Sequence, residues 1–167
     1  MPENPELHEL RLGVYGPPDA VARLADSARD MLGQRVRDSE VPLAWTLRVD
    51  SGDRPIEPAA GGEIPASEMT VEEMYDDLPQ QWRDEHPGEE PGAHTTAVIR
   101  VGVLAPRDTA HDLLDALQRL ACPDPEHSGP CPIPWQAGLT PPVDSRYRTY
   151  LEYHYGHLRH GGPGAAR

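Results

Sequence analysis

The chain has 167 residues, 28 acidic against 15 basic, and a formal net charge of −13. It is long enough for one domain with a real core, has no apolar run of about 18 residues to span a membrane, and is acidic enough to argue against direct nucleic-acid binding. Lysine and phenylalanine are absent, which excludes Schiff-base and P-loop lysine chemistry and fits the codon bias of a G+C-rich, actinomycete-like bacterium.

Residues 1–8 read as a flexible acidic N-terminus, proline-rich and unlike a signal peptide. With two cysteines and no export signal, the expected compartment is the cytoplasm. Residues 9–50 form a first strand–helix–strand unit. In the strand Glu9–Tyr15, Leu10, Leu12 and Val14 share one face, while Arg11, Gly13 and Tyr15 share the other. Pro17, Pro18 and Asp19 open a helix whose Val21, Leu24, Ala25, Ala28, Met31 and Leu32 make one apolar stripe. A second strand runs from Pro42 to Val49, with Trp45 facing the helix.

Residues 51–94 are an acidic insertion, too long for a plain hairpin. Pro55, Pro58, Gly61 and Gly62 suggest an irregular loop, and Thr70 to Glu73 is a capping-box signature. The pattern predicts one helix over about 71–83, with Met74, Leu78 and Trp82 on its apolar side.

Residues 95–140 repeat the first unit. Superposed on Arg11–Leu32 at an offset of 89 residues, Arg100–Ala121 is identical at seven of 22 positions, including Gly13/Gly102, Val14/Val103, Asp19/Asp108 and Asp26/Asp115. Composition alone would give about one or two matches. The closing strand, Pro132–Leu139, carries Trp135 facing the helices, at an offset of 90 from Trp45. Two such units predict an α+β fold, a ferredoxin-like plait: a four-stranded antiparallel sheet with both helices on one face. Residues 141–167 are a C-terminal extension and tail. Tyr147, Tyr150, Leu151, His154 and Leu158 fit a helical stripe capped by Asp144 or Ser145, with an edge strand as the alternative.

Chemistry has three candidate locations. Cys122, His127 and Cys131 have the spacing C-x4-H-x3-C on one tight loop, a donor set that suits structural zinc, with His154, His157 or His111 as a distant fourth ligand. A disulfide and two buried free thiols are the alternatives. The series His154, His157 and His160 suits metal binding or acid–base work, or simply packing of the last segment on the core. The sheet face away from the helices carries Arg11, Tyr15, Arg48 and Arg100. It suits an anion or partner site, with Gly13 and Gly102 leaving room for a ring or helix to approach, unless the insertion or the tail covers it. The insertion's apolar side needs a surface, so its helix is expected across this face, paired with at least one arginine.

No enzyme motif is present. The sequence therefore points to a small non-enzymatic binding or accessory protein acting through protein–protein contacts, an immunity-type protein neutralising a basic partner being one form. The alternative is a ferredoxin-like homodimeric barrel, an enzyme or small-ligand binder, using the outer sheet face.

Overall fold

The computed structural model describes residues 3–56, 69–124 and 126–161. In chain order these form β1 (Glu6–Gly16), α1 (Pro18–Asp38), β2 (Ala44–Ser51), α2 (Val71–Met74), α3 (Asp77–Glu85), β3 (Thr95–Ala105), α4 (Arg107–Ala121), β4 (Trp135–Thr140) and α5 (Ser145–Tyr155). A 3-10 turn, Gly156–Arg159, follows α5. The fold is α+β: the four strands make an antiparallel sheet in the order β2-β3-β1-β4. Among the described residues no helix is long and apolar enough to cross a membrane.

Alternation decides the two faces. Leu10, Leu12 and Val14 of β1, Trp45 and Leu47 of β2, and Ile99, Val101 and Val103 of β3 turn inward. They meet Val21, Leu24, Ala25, Ala28 and Leu32 of α1 and Ala110, Leu113 and Leu117 of α4. Each helix begins with Pro in the cap position, at Pro17 and Pro106, just where the chain leaves a strand. The inner core is close to the one expected from the helical stripes, with Met31 of α1 and Leu114 and Leu120 of α4 only partly buried at its edge.

β1 starts earlier than expected. It pairs along the full length of β3, from Glu6 opposite Ala105 to Gly16 opposite Thr95, so Leu7 and His8 belong to the sheet rather than to a flexible terminus. β4 starts later, at Trp135, because Pro132 and Pro134 have no N–H to give a ladder. Gly16 ends β1 with Ile133 packed close above it.

The insertion corrects one expectation and part of another. Its helix is broken in two at Tyr75 and Asp76. Pro79 explains the break, since its ring would collide with the Tyr75 carbonyl in a continuous helix. Val71, Tyr75, Leu78 and Trp82 are buried along one side, while Met74 faces solvent. The capping box is formed, with Glu73 N donating to Thr70 Oγ1 at 3.3 Å and Thr70 N donating to Glu73 Oε2 at 2.8 Å. Pro55 pairs with Thr70 as an isolated bridge, and the expected loop residues Pro58, Gly61 and Gly62 lie outside the described residues.

The C-terminal extension is a helix rather than an edge strand. Asp144 caps it by accepting from Tyr147 N at 3.0 Å. Its buried residues are Tyr150, Leu151 and Tyr155, followed by Leu158; Tyr147 and His154 are only half-buried. Tyr155, not His154, supplies the next contact because Gly102 gives its ring a place to lie.

His8 gives the fold a pH dependence. It is fully buried on the inner face, with neither ring nitrogen in a well-formed hydrogen bond. Burial holds its pKa below the ordinary 6.5; Glu6 and the Ala105 backbone oppose this, and His111 and Arg107 add to it. The unfolded chain therefore binds the proton more readily. The resulting stability is fully present above about pH 6.5 and is lost as pH falls through that value towards the folded pKa, at no more than about 1.4 kcal/mol per unit. Urea midpoints at pH 7.5 and 5.0 should fall further in the wild type than in His8→Leu. Equal losses would contradict the assignment.

Candidate metal centre and the covered sheet face

The outer sheet face is closed by the chain itself, from two sides. Tyr15 and Val98 are covered by Val71, Tyr75, Leu78 and Trp82 of the insertion, with Ile56 at the margin. Leu7, Ala44 and Leu104 are covered by Tyr150, Leu151, Tyr155 and Leu158. Leu104 thus lies under the C-terminal helix rather than the insertion.

The two outer-face glycines of β1 and β3 each lie beneath one tyrosine ring. A Cβ at Gly13 would strike the ring of Tyr75, and a Cβ at Gly102 that of Tyr155. Both substitutions, Gly13→Ala and Gly102→Ala, should destabilise by about 1–3 kcal/mol, as overpacking does. Gly102→Ala combined with Tyr155→Leu should recover part of the loss in urea unfolding. No recovery would show that the ring is not the obstacle.

Arg48, Arg100 and Arg11 stand in one row across β2, β3 and β1, each directly opposite the next. Like charges in such register repel, and two carboxylates on the same face offset them. Arg100, 4% exposed, donates from Nη2 to Glu9 Oε2 at 3.0 Å and from Nη1 to Asp50 Oδ2 at 3.3 Å. It also donates to the Tyr150 hydroxyl. Glu9 Oε2 further accepts from Tyr150 Oη at 2.8 Å and from Tyr155 Oη. Arg11 approaches Glu9 at 3.7 Å and Arg48 approaches Asp50 at 3.4 Å. Burial, then the Glu9 charge, push both tyrosines well above the ordinary phenol value, so both hydroxyls stay protonated donors.

The insertion was expected to supply the arginines' counter-ions. Instead they come from the sheet, at Glu9 and Asp50, while the insertion contributes apolar cover. Alternation carries the signal for both: Glu9 shares parity with Arg11, and Asp50 with Arg48.

The cysteine loop comes together on its own. Cys122 follows the last turn of α4, its N–H donating to Gln118 O. The loop then turns back, with His127 N donating to Asp124 O at 3.2 Å and Glu126 N to Asp124 Oδ1 at 3.0 Å. Gly129 sits at φ +86°, a conformation that glycine adopts without cost. The sulfurs of Cys122 and Cys131 are 3.4 Å apart, and His127 Nε2 is 3.4 Å from Cys131 Sγ. Both cysteines are free thiols, their sulfurs close enough to share an ion or a bond.

These three donor atoms lie within 4.8 Å of one another. Around a tetrahedral zinc, with Zn–S near 2.3 Å and Zn–N near 2.05 Å, sulfurs would stand about 3.8 Å apart and a sulfur and nitrogen about 3.6 Å apart. The two separations at 3.4 Å lie within a few tenths of an ångström of these values, and all three donors fall within the 4.8 Å span that a shared ion needs. The hydrogen bond with Cys131, then burial, push the Cys122 thiol up. Burial alone would also raise Cys131, but hydrogen bonds from His127, Cys122 and Trp135 together bring it below its ordinary value. His127 is raised by its bond to Cys131.

His154 is not part of this group. It packs against Tyr150, Tyr153 and Tyr155 of α5, over the outer face, whereas Cys122 ends a helix of the inner face. The sheet separates them. His157, His160 and His111 are exposed and outside the group as well.

A residue that the sequence did not single out borders the site. Glu85, at the end of α3, lines a cavity of about 570 Å³ together with Gln81, Gln118, Cys122, His127 and Cys131. Its Oε1 accepts from Gln81 Nε2 at 2.9 Å, while Oε2 is shut off from solvent without a hydrogen-bond partner. Nothing in the spacing links Glu85 to a loop 37 residues away.

No protein-family model matches the chain, and no curated protein does. Among solved structures, the chain is similar to the crystal structure of a "putative aminohydrolase" from methicillin-resistant Staphylococcus aureus, at 12% identity and a TM-score of 0.29. That likeness covers 99% of this chain and 40% of the other; the chain thus spans less than half the length of that protein.

Proposed function

We propose that this protein is a small non-enzymatic accessory module of the cytoplasm that binds a basic protein partner through its acidic exterior. It is built as a ferredoxin-like plait from a duplicated unit and stapled by zinc at Cys122, His127 and Cys131. The observation that carries the binding role is the closure of the sheet on both sides. With much of the outer face covered and Arg100 buried against Glu9 and Asp50, the dimeric-barrel alternative has less surface there than an open sheet would give.

What α3 and α4 present is acidic on balance, with Asp77, Asp84, Asp108, Asp112 and Asp115 all exposed, whereas on α1 the exposed Asp19 and Asp26 pair with Arg23 and Arg29. Two of these positions, Asp19/Asp108 and Asp26/Asp115, are repeat pairs. The plait is supported by the strand order with both long helices on one face. The duplication is supported by the register: Trp45 lies opposite Val103, and its counterpart Trp135 lies opposite Val14, the counterpart of Val103.

Carboxylate-directed cross-linking in extracts of the source cells tests the partner role. The expected product is one dominant basic protein, joined to acidic residues of α1, α3 or α4 and lost as salt is raised from about 0.05 to 0.5 M. A product that persists at high salt, or a dimer whose melting temperature rises with a small ligand, would overturn it. Metal analysis tests the staple: about one zinc per chain is expected in the wild type and none in Cys131→Ser.

A further inference from the structure

Cys122 and Cys131 are the two cysteines of the chain, and their sulfurs stand 3.4 Å apart as free thiols. A bond between them would be about 2.05 Å long, so an approach of about 1.4 Å separates one state from the other. The loop that joins them is free to supply it. None of its described residues belongs to a helix or strand, and Gly129 already turns the backbone at φ +86°.

The two sulfurs are not equally reached. Cys122 is buried and Cys131 half-buried, and both line a cavity of about 570 Å³. The charged groups of that lining are Glu85 and Asp115 against Arg119, with His127 beside Cys131. No surplus of positive charge is present to draw in an anionic oxidant.

Resting on the zinc reading above, the geometry points to a redox switch at this centre: a small neutral peroxide oxidises the two cysteines to a disulfide and expels the ion. The ion and the bond exclude each other, because zinc is held by thiolates and a disulfide offers none. The Cys131 sulfur, the accessible one, attacks one peroxide oxygen. The O–O bond breaks, Cys131 becomes a sulfenic acid, and the other oxygen leaves as hydroxide, which a solvent proton converts to water. The Cys122 sulfur then attacks Cys131 Sγ; the S–O bond breaks, and the second oxygen leaves as hydroxide and is protonated in the same way. Each sulfur has lost one electron, the peroxide has gained two, and two protons have been consumed. In a reducing compartment the bond is transient, and a small-molecule thiol returns the pair to its zinc-binding form.

The full chain loaded with zinc is treated with about one equivalent of hydrogen peroxide while a chromogenic chelator reports free zinc. Zinc should appear in step with a mass loss of about 2 Da and a peptide linking Cys122 to Cys131 within one chain. The untreated chain should keep its zinc over the same time, and a dithiol reductant should restore binding. In the metal-free single variants, the thiol left in Cys122→Ser should react with peroxide about tenfold faster than the one left in Cys131→Ser.

A chain that never binds zinc would overturn the zinc reading, and the switch with it. A chain that holds zinc and keeps it through the peroxide treatment would overturn the switch alone. So would a mass gain of about 16 or 32 Da in place of the loss, or a disulfide that joins two chains. Equal rates for the two variants would overturn the order in which the sulfurs react.

Discussion

Replacing Arg100 with alanine is expected to destabilise the fold by about 3–5 kcal/mol, the usual cost of stranding a buried charge. Glu9 is 1% exposed. Without Arg100 it would keep two phenol donors and an Arg11 guanidinium 3.7 Å away. Asp50 would lose its contact at 3.3 Å and keep only Arg48, which is partly in water. Arg48→Ala, by contrast, removes a 41%-exposed side chain and should cost no more than about 1 kcal/mol. The double variant Arg100→Met, Glu9→Leu removes two of the three buried charges but leaves Asp50 with Arg48 alone and the Tyr150 and Tyr155 hydroxyls without their acceptor, so it should recover only part of the loss. Urea unfolding of the four proteins decides the matter. An Arg100→Ala variant within about 1 kcal/mol of wild type would show that the row is not held as described.

The second large effect belongs to the tryptophans, and it is asymmetric. Trp45 is 4% exposed in the inner core, so Trp45→Ala should cost about 3–5 kcal/mol. Trp135 occupies the related position on β4 but is only half-buried, packed at the margin of the same cluster. Its truncation should cost less, since the lost contacts are fewer and water can enter the space. The Nε1 of Trp45 has no acceptor, so Trp45→Phe keeps most of the burial and strands nothing. It should cost clearly less than the alanine variant, since the smaller ring leaves only part of the indole's space unfilled. Equal costs for the two alanine variants would contradict the difference in burial.

Legibility followed distance along the chain. The capping box at Thr70 and the Asp144 cap could be read because each joins residues three apart. The break at Tyr75 was also local, since Pro79 excludes a continuous helix, but the apolar spacing of Met74, Leu78 and Trp82 masked it. The counter-ions of the arginine row were legible in principle, as Glu9 and Asp50 lie on the arginines' face by alternation alone. The acidity of the insertion drew attention away from them.

What the sequence determined by itself was whatever a period of two or 3.6 residues encodes: the strands, the long helices, the inward faces and the glycines Gly13 and Gly102 left bare on the outer face of the central strands. The meeting of Cys122, His127 and Cys131 also followed, because a ten-residue loop anchored at α4 and β4 has few ways to separate its ends. Only the tertiary structure decided which segment covers which half of the outer face, that Tyr75 and Tyr155 take the two glycines, and that His154 lies across the sheet from the cysteines. It alone brought Glu85 to them. These contacts join residues tens of positions apart, and no local periodicity carries them; they follow from how the insertion and the tail cross the sheet, which is a matter of whole-chain packing.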